Sequence, residues 1–184
     1  MSAASLGSRP AGLARRLASA LYESLLLAAL AVAIGFALLP WTGNAGPLAD
    51  AALPLPSSAA RAGLFACVFA GCGAYCVGLW SSNRRTLPMR TWQLTLVTAS
   101  GFAVGPARAA ARYLFWWIGP AAAIAAYVAL RPAGHARWAG VLLALNYAWA
   151  LFDPDHSFLH DRLAGTRLVR TDAPRATTAA PEPG

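Results

Sequence analysis

Charge is the scarce ingredient of this chain. Asp, Glu, Lys and Arg together make up 12% of its 184 residues, against about 25% in an average soluble domain. That is too little to solvate the surface of a globule this size, so composition excludes an ordinary soluble enzyme. Lysine is absent, and 7 acidic residues face 15 arginines. Cysteine is nearly absent too: Cys67, Cys72 and Cys76 all fall in one apolar run. Such a distribution builds no disulfide framework and repeats no zinc spacing, so these read as small packing residues. Missing as well are a phosphate-binding Gly-x-x-x-x-Gly-Lys loop, a His-Glu-x-x-His helix and a Gly-x-Ser-x-Gly elbow. No enzyme and no cofactor is expected.

Apolar residues are what the chain has in quantity, 58% with a mean hydropathy of +0.48. They lie in long charge-free runs: Ser24–Ala49, Ala62–Asn83, Tyr113–Leu130 and Trp138–Phe152, of 26, 22, 18 and 15 residues. Crossing about 30 Å of hydrocarbon takes roughly 20 apolar residues as a helix. The expectation is an all-α membrane protein with four transmembrane helices at about 17–39, 62–80, 110–130 and 136–152. The first run is too long for the 7–15-residue core of a cleaved signal peptide, so it is expected to stay as a helix. Twelve of the 15 arginines fall in the N-terminal flank, the connection between the second and third spans, and the C-terminal tail. Positive residues collect on the cytoplasmic side, so both termini are expected there. The same arginines are not arranged as a basic helix or finger, and nucleic acid is not an expected partner.

Between and around the spans the reading is finer. Residues 1–14 are expected as a loose tail, 15–170 as the transmembrane domain, and 171–184 as a disordered tail. Pro40–Arg61, with four prolines, is expected as an irregular extracytoplasmic loop. Ala66, Ala70, Ala74 and Gly78 make a small-residue stripe suited to close helix approach. Trp92, Leu94 and Leu96 alternate with polar residues at strand period. Pairing of Trp92–Val97 with Arg167–Arg170 would give a small two-stranded cytoplasmic sheet. Gly105-Pro106 opens the third helix, from which Arg108 and Arg112 are expected to snorkel to the headgroups, and Pro120 is expected to kink it. Asp153 is expected to cap a short interfacial helix of about 154–164 that Gly165 ends. Asn146 reads as a polar contact between helices.

Glu23 is the acid that falls inside a span, about 9 Å deep at 1.5 Å per residue. A charge there costs on the order of 2.5–3.5 kcal/mol on insertion scales, so it faces protein or water. Two readings stand: a proton or cation site, or a structural partner of an arginine, with Arg16 and Arg112 as candidates. Asp153, Asp155, His156, His160 and Asp161 form a second cluster. One helical face could present His156 and His160, four apart, with Asp161 adjoining, as a weak divalent-metal spacing; a hydrogen-bonded interfacial helix is the reading preferred, with no metal.

Three segments resemble the RDD family of bacterial membrane proteins. Arg15-Arg16-Leu17 through Tyr22-Glu23 is similar to that family's opening arginine with an acid seven residues on. Thr86-Leu87-Pro88-Met89-Arg90-Thr91-Trp92 followed by Ala107–Leu114 is similar to its central segment and third-helix entry. Phe158-Leu159-His160-Asp161-Arg162-Leu163-Ala164-Gly165-Thr166 is similar to its ending. Two departures stand out: Glu23 replaces the usual aspartate, and Asn83-Arg84-Arg85 replaces Gly-Gly-Gln, removing the glycines a tight turn would use. The resemblance implies a polytopic inner-membrane protein, some members being associated with sodium/proton exchange. Transport would use Glu23 as titrating carboxylate, tuned by Arg16 or Arg112, with Asp161 at the cytoplasmic mouth of an oligomer and the adjoining His160 as a further candidate. The alternative is a non-transporting accessory or assembly protein whose arginine-rich face docks a membrane-protein partner or anionic lipid.

Overall fold

The computed structural model describes residues 11–41 and 57–171. The expected N-terminal tail up to residue 10, most of the 40–61 loop, and the tail from 172 lie outside the described residues. Three helices are long and apolar enough to cross a membrane: α1 (Leu13–Leu38), α2 (Ser58–Trp80), and a third formed by α4 (Pro106–Trp116) and α5 (Ile118–Leu130) in succession. Their outward side chains are apolar; Leu25, Phe36 and Val128 are 63%, 69% and 66% exposed. Arg16, Arg112 and Asp161 are 2%, 4% and 1% exposed. Charge inside and hydrocarbon outside is the arrangement a lipid solvent selects.

Between α2 and α4 lie a short helix α3 (Leu87–Thr91) and strand β1 (Leu94–Thr98). Strand β2 (Thr166–Arg170) pairs antiparallel with β1, Leu96 opposite Leu168. The expected strand pair is therefore present, with β1 starting two residues later and ending one residue later than expected. Gln93, at φ +53°, is the cause: a left-handed residue reverses the chain after α3 and leaves Trp92 outside the strand. Both faces of β1 are buried, and Thr95 answers its burial by sharing a hydrogen bond with Thr171 at 2.7 Å.

The third helix begins as expected at Gly105-Pro106. Its break falls at Trp117, three residues before Pro120. Proline has no N–H for the carbonyl four residues back, and that carbonyl, on Trp116, accepts a hydrogen bond from Asn146 Nδ2 at 2.7 Å. Asn146 thus binds the fourth apolar segment to the third. That segment is 3₁₀-helical over Ala136–Ala144 and Trp149–Leu151, with one α-turn, α6 (Leu145–Ala148), between. It packs against α5 closely enough that a Cβ on Gly119 would sit 3.1 Å from the Leu142 carbonyl oxygen and 3.2 Å from that of Leu143.

Four local expectations need correcting. The Ala66–Ala70–Ala74–Gly78 stripe faces outward, the alanines exposed and nothing near Gly78. Close approach uses Gly71, whose Cβ would meet Ile34 of α1, and Gly73, whose Cβ would meet Tyr113 of α4. Cys72 and Cys76 pack on that inner face while Cys67 is exposed. The turn after α2 is tight without glycine, Ser82 and Asn83 both left-handed at φ +56° and +62°. Arg112 is buried rather than snorkelling, whereas Arg108 stays exposed. Finally, no helix follows Asp153 directly: its Oδ2 accepts from the amides of Asp155 and Ser157 at 3.2 and 2.9 Å, closing a turn. The helix α7 spans only Leu159–Leu163.

Gly119→Ala is expected to destabilise by about 1–3 kcal/mol, since backbone oxygens cannot yield as side chains do. Gly140→Ala, with nothing within 4 Å of its Cβ, is expected to be neutral within about 0.5 kcal/mol. Thermal unfolding of the two variants in detergent checks the difference.

Candidate functional site

The five candidate residues Arg16, Glu23, Arg112, His160 and Asp161 converge at the end of the helices that carries the sheet. Each is placed by a local rule. Arg16 stands in the first turn of α1, with Glu23 two turns on along the same side of the helix. Arg112 lies two turns into α4. His160 and Asp161 sit on α7, which the 153–158 turn and Gly165 (φ +61°) confine to five residues.

Arg112 is the centre of the cluster. Its Nε donates to Asp161 Oδ1 at 2.6 Å, and Nη2 makes a longer contact of 3.5 Å to His160 Nε2. Its guanidinium stacks 4.2 Å from the centre of the Trp80 ring, a cation–π contact that strengthens when water is excluded. Thr166 Oγ1 adds a hydrogen bond to Asp161 Oδ1 at 3.3 Å. Burial alone would raise the Asp161 carboxyl, but the adjoining Arg112 guanidinium, with help from Arg16, holds it below its usual range. His160 is packed beside Phe158 and Tyr147. Burial drives its pKa from 6.5 down to about 4, further than Asp161 can lift it. It is therefore neutral at ordinary pH. An arginine can only donate, so Nε2 accepts and the proton belongs on Nδ1.

Arg16 takes no carboxylate among the described residues. Its Nη1 donates to the carbonyls of Asp155 and His156 at 3.2 and 2.9 Å, and Nη2 to that of Leu168 at 3.3 Å. One guanidinium thus joins the start of α1 to the turn before α7 and to β2. Glu23 Oε2 accepts from Thr86 Oγ1 at 3.1 Å. The same hydroxyl accepts from the Met89 amide at 3.4 Å as the cap of α3. Neither arginine comes within ion-pair distance of Glu23, although the Arg112 charge acts on it through space.

Glu23 lines a cavity of about 40 Å³ together with Arg16, Ser19, Arg112, Tyr147 and His160. Arg16 Nε, Glu23 Oε1, His160 Nδ1 and Asp161 Oδ2 are buried without a hydrogen-bond partner among the described residues. Leaving such a group unmet costs about 1–3 kcal/mol, so their gathering in one place marks it as polar ground. The volume is enough for one or two water-sized occupants.

The RDD family profile matches residues 10–165. The chain belongs to the RDD family. Neither the curated proteins nor the solved structures contain a match to it. The three segments that resembled the RDD family supply the site: the first gives Arg16 and Glu23, the second Thr86 and Arg112, the third His160 and Asp161. Two of its members escaped the sequence reading. Thr86 reads there only as part of a motif, though a threonine before Leu-Pro is a recognisable helix cap. Trp80 closes an apolar run, and nothing local ties it to an arginine 32 positions on.

Two further expectations are corrected by the geometry. Asp161 is 1% exposed and lies sealed beneath Arg112 rather than at an open mouth. His156 and His160 share no helical face, because His156 stands in the preceding turn at φ +49° with Nδ1 3.0 Å from the Ala150 carbonyl. No group of three or more His, Cys, Asp or Glu side chains gathers for a metal among the described residues.

Arg112→Leu is expected to cost about 3–5 kcal/mol by leaving Asp161 buried and unpaired, and Arg112→Leu/Asp161→Leu to recover part of that loss. Unfolding transitions in detergent compare the three proteins. His160, held neutral by the fold, contributes stability that is complete above pH 6.5 and lost as pH falls toward 4. Asp161 adds its own loss only below its usual 3.8. A pH series of Tm should show a decline between 6.5 and 4 that His160→Gln abolishes.

Proposed function

We propose that this RDD protein is an inner-membrane carrier with no enzymatic step, exchanging a monovalent cation for protons through Glu23. The observation that carries the reading is the Glu23 carboxylate itself: intramembrane, held through one oxygen by Thr86, its other oxygen without a partner among the described residues, beside a small cavity that Arg16, Ser19 and His160 also line. A carboxylate kept for structure alone would have both oxygens tied to the arginines nearby. Arg112 is committed to Asp161 and Arg16 to backbone carbonyls, leaving Glu23 free to change its occupant. Arg112 then biases the site by its positive charge, which weakens the hold on a bound cation and keeps exchange reversible.

The pathway requires a complete wall, and four crossings are the proposed topology. Arg16, in the first turn of α1, touches residues 155, 156 and 168, so the two ends of the described chain meet at one end of the helices. After three crossings a return is needed, and the 3₁₀-rich segment Ala136–Leu151 is the stretch available. At about 2 Å per residue a 3₁₀ helix of this length approaches the 30 Å of hydrocarbon. The arginine distribution favours a cytoplasmic location for that shared end. Four spans make a thin wall, so the working form is proposed to be an oligomer, with itself or with another membrane protein.

Purified protein in vesicles loaded with a pH-sensitive dye tests the proposal. Imposed sodium or potassium gradients are expected to drive proton flux in the wild type, lost in Glu23→Gln. A wild type without flux, or a Glu23→Gln protein with undiminished flux, overturns it.

A further inference from the structure

A second cavity, of about 300 Å³, lies between the first turn of α1, the 153–158 turn and the start of β2. Arg16 lines both cavities and separates them. The second is lined by Arg16, Arg162 and Arg167, by Ser157 and Thr166, and by a single carboxylate, Asp155. Three guanidiniums face Asp155 in the lining and Asp153 behind Arg162, so positive charge remains in excess. At this volume the space exceeds what an ordered water needs and enters the range of small-ligand pockets.

The arginines are not consumed by one another's neighbours. Arg167 has no ion-pair partner among the described residues, and its Nη2 lies against Gly101, 3.8 Å from where a Cβ would stand. Arg162 lies 3.3 Å from the exposed Asp155 carboxylate and 3.7 Å from the buried one of Asp153, with its own side chain 55% exposed. Arg16 contributes its charge at the inner end, its Nη1 and Nη2 being held by backbone carbonyls. Guanidinium forks match phosphate oxygens in pairs, which the compact ammonium of lysine does not. A phosphate monoester carries about −1.5 to −2 charges near neutrality, opposite in sign to that excess.

The geometry points to a phosphate-binding site here, with Arg162 and Arg167 gripping the anion from the open side and Arg16 forming its floor. Because Arg16 sits where the first spanning helix begins, the site is at the level of lipid phosphates. Its two sources are the headgroup of an anionic lipid, phosphatidic acid being the simplest, and dissolved phosphate. The inference rests on the second cavity and is independent of ion exchange at Glu23.

Thermal unfolding of the full-length protein in a neutral detergent tests it. Inorganic phosphate and dihexanoyl phosphatidic acid are titrated separately, each against sodium chloride at equal ionic strength. Both phosphate carriers are expected to raise Tm saturably while chloride does not. In Arg167→Gln the midpoint should move to about tenfold higher concentration. In Arg84→Gln, which removes the same charge from an exposed position outside the cavity, it should stay. A lower midpoint for phosphatidic acid than for inorganic phosphate assigns the lipid as source, and equal midpoints assign the free anion. A rise that follows ionic strength alone, or an unchanged midpoint in Arg167→Gln, overturns the site.

Discussion

The contact between Arg112 and Asp161 is what allows four charges to remain inside a molecule whose exterior is hydrocarbon. Alone, either residue would have to leave the interior or surrender its charge, since isolated ions are not tolerated in a low dielectric. Together they fasten α4 to α7 and, through the Trp80 ring stacked on the guanidinium, to the end of α2. With that anchor in place Arg16 can spend its donors on backbone carbonyls, and Glu23 needs only a hydroxyl. Arg16 and Arg112 bring two positive charges, the buried carboxylates of Asp153 and Asp161 bring two negative ones, and His160 is neutral.

The membrane character and the coarse layout were legible because they depend on counting. Charge-free runs set the three long helices, and period-two alternation around Leu94 and Leu96 set the strand that meets β2. Gly105-Pro106 marked a helix start by chain stiffness alone. What stayed hidden depends on partners far away in the chain. Arg112 has the look of a surface anchor until Asp161, 49 positions later, draws it inward. The outward alanine stripe and the working pair Gly71 and Gly73 differ only in what faces them. His156 sits at helical spacing from His160, yet the Asp153 carboxylate closes a tighter turn first, and the periodicity is lost. The convergence of five candidate residues was readable only through likeness to the RDD family, because no local pattern joins residues 16, 112 and 161.

Thr86 shows how the interior is wired to the sheet. Its hydroxyl is at once the cap that starts α3 and the donor to Glu23, so the carboxylate and the chain leading into β1 share one oxygen atom. On the other side of the same carboxylate, Arg16 stands between the small inner cavity and the larger outer one. Two compartments of different character, one narrow and one basic, therefore meet at a single side chain whose position is fixed by three carbonyls.

The pairing of Pro120 with Asn146 has a bearing on which sequences the fold can visit. Proline frees a carbonyl on Trp116, and the asparagine amide occupies it. A chain with the proline and without the amide would present a bare acceptor in an apolar setting. A chain with the amide and an ordinary residue at 120 would hold a donor competing with the helix for one oxygen. Each single step is worse than either endpoint, so the two positions are mutationally coupled. A drifting sequence would have to change both together, or pass through a weakened intermediate.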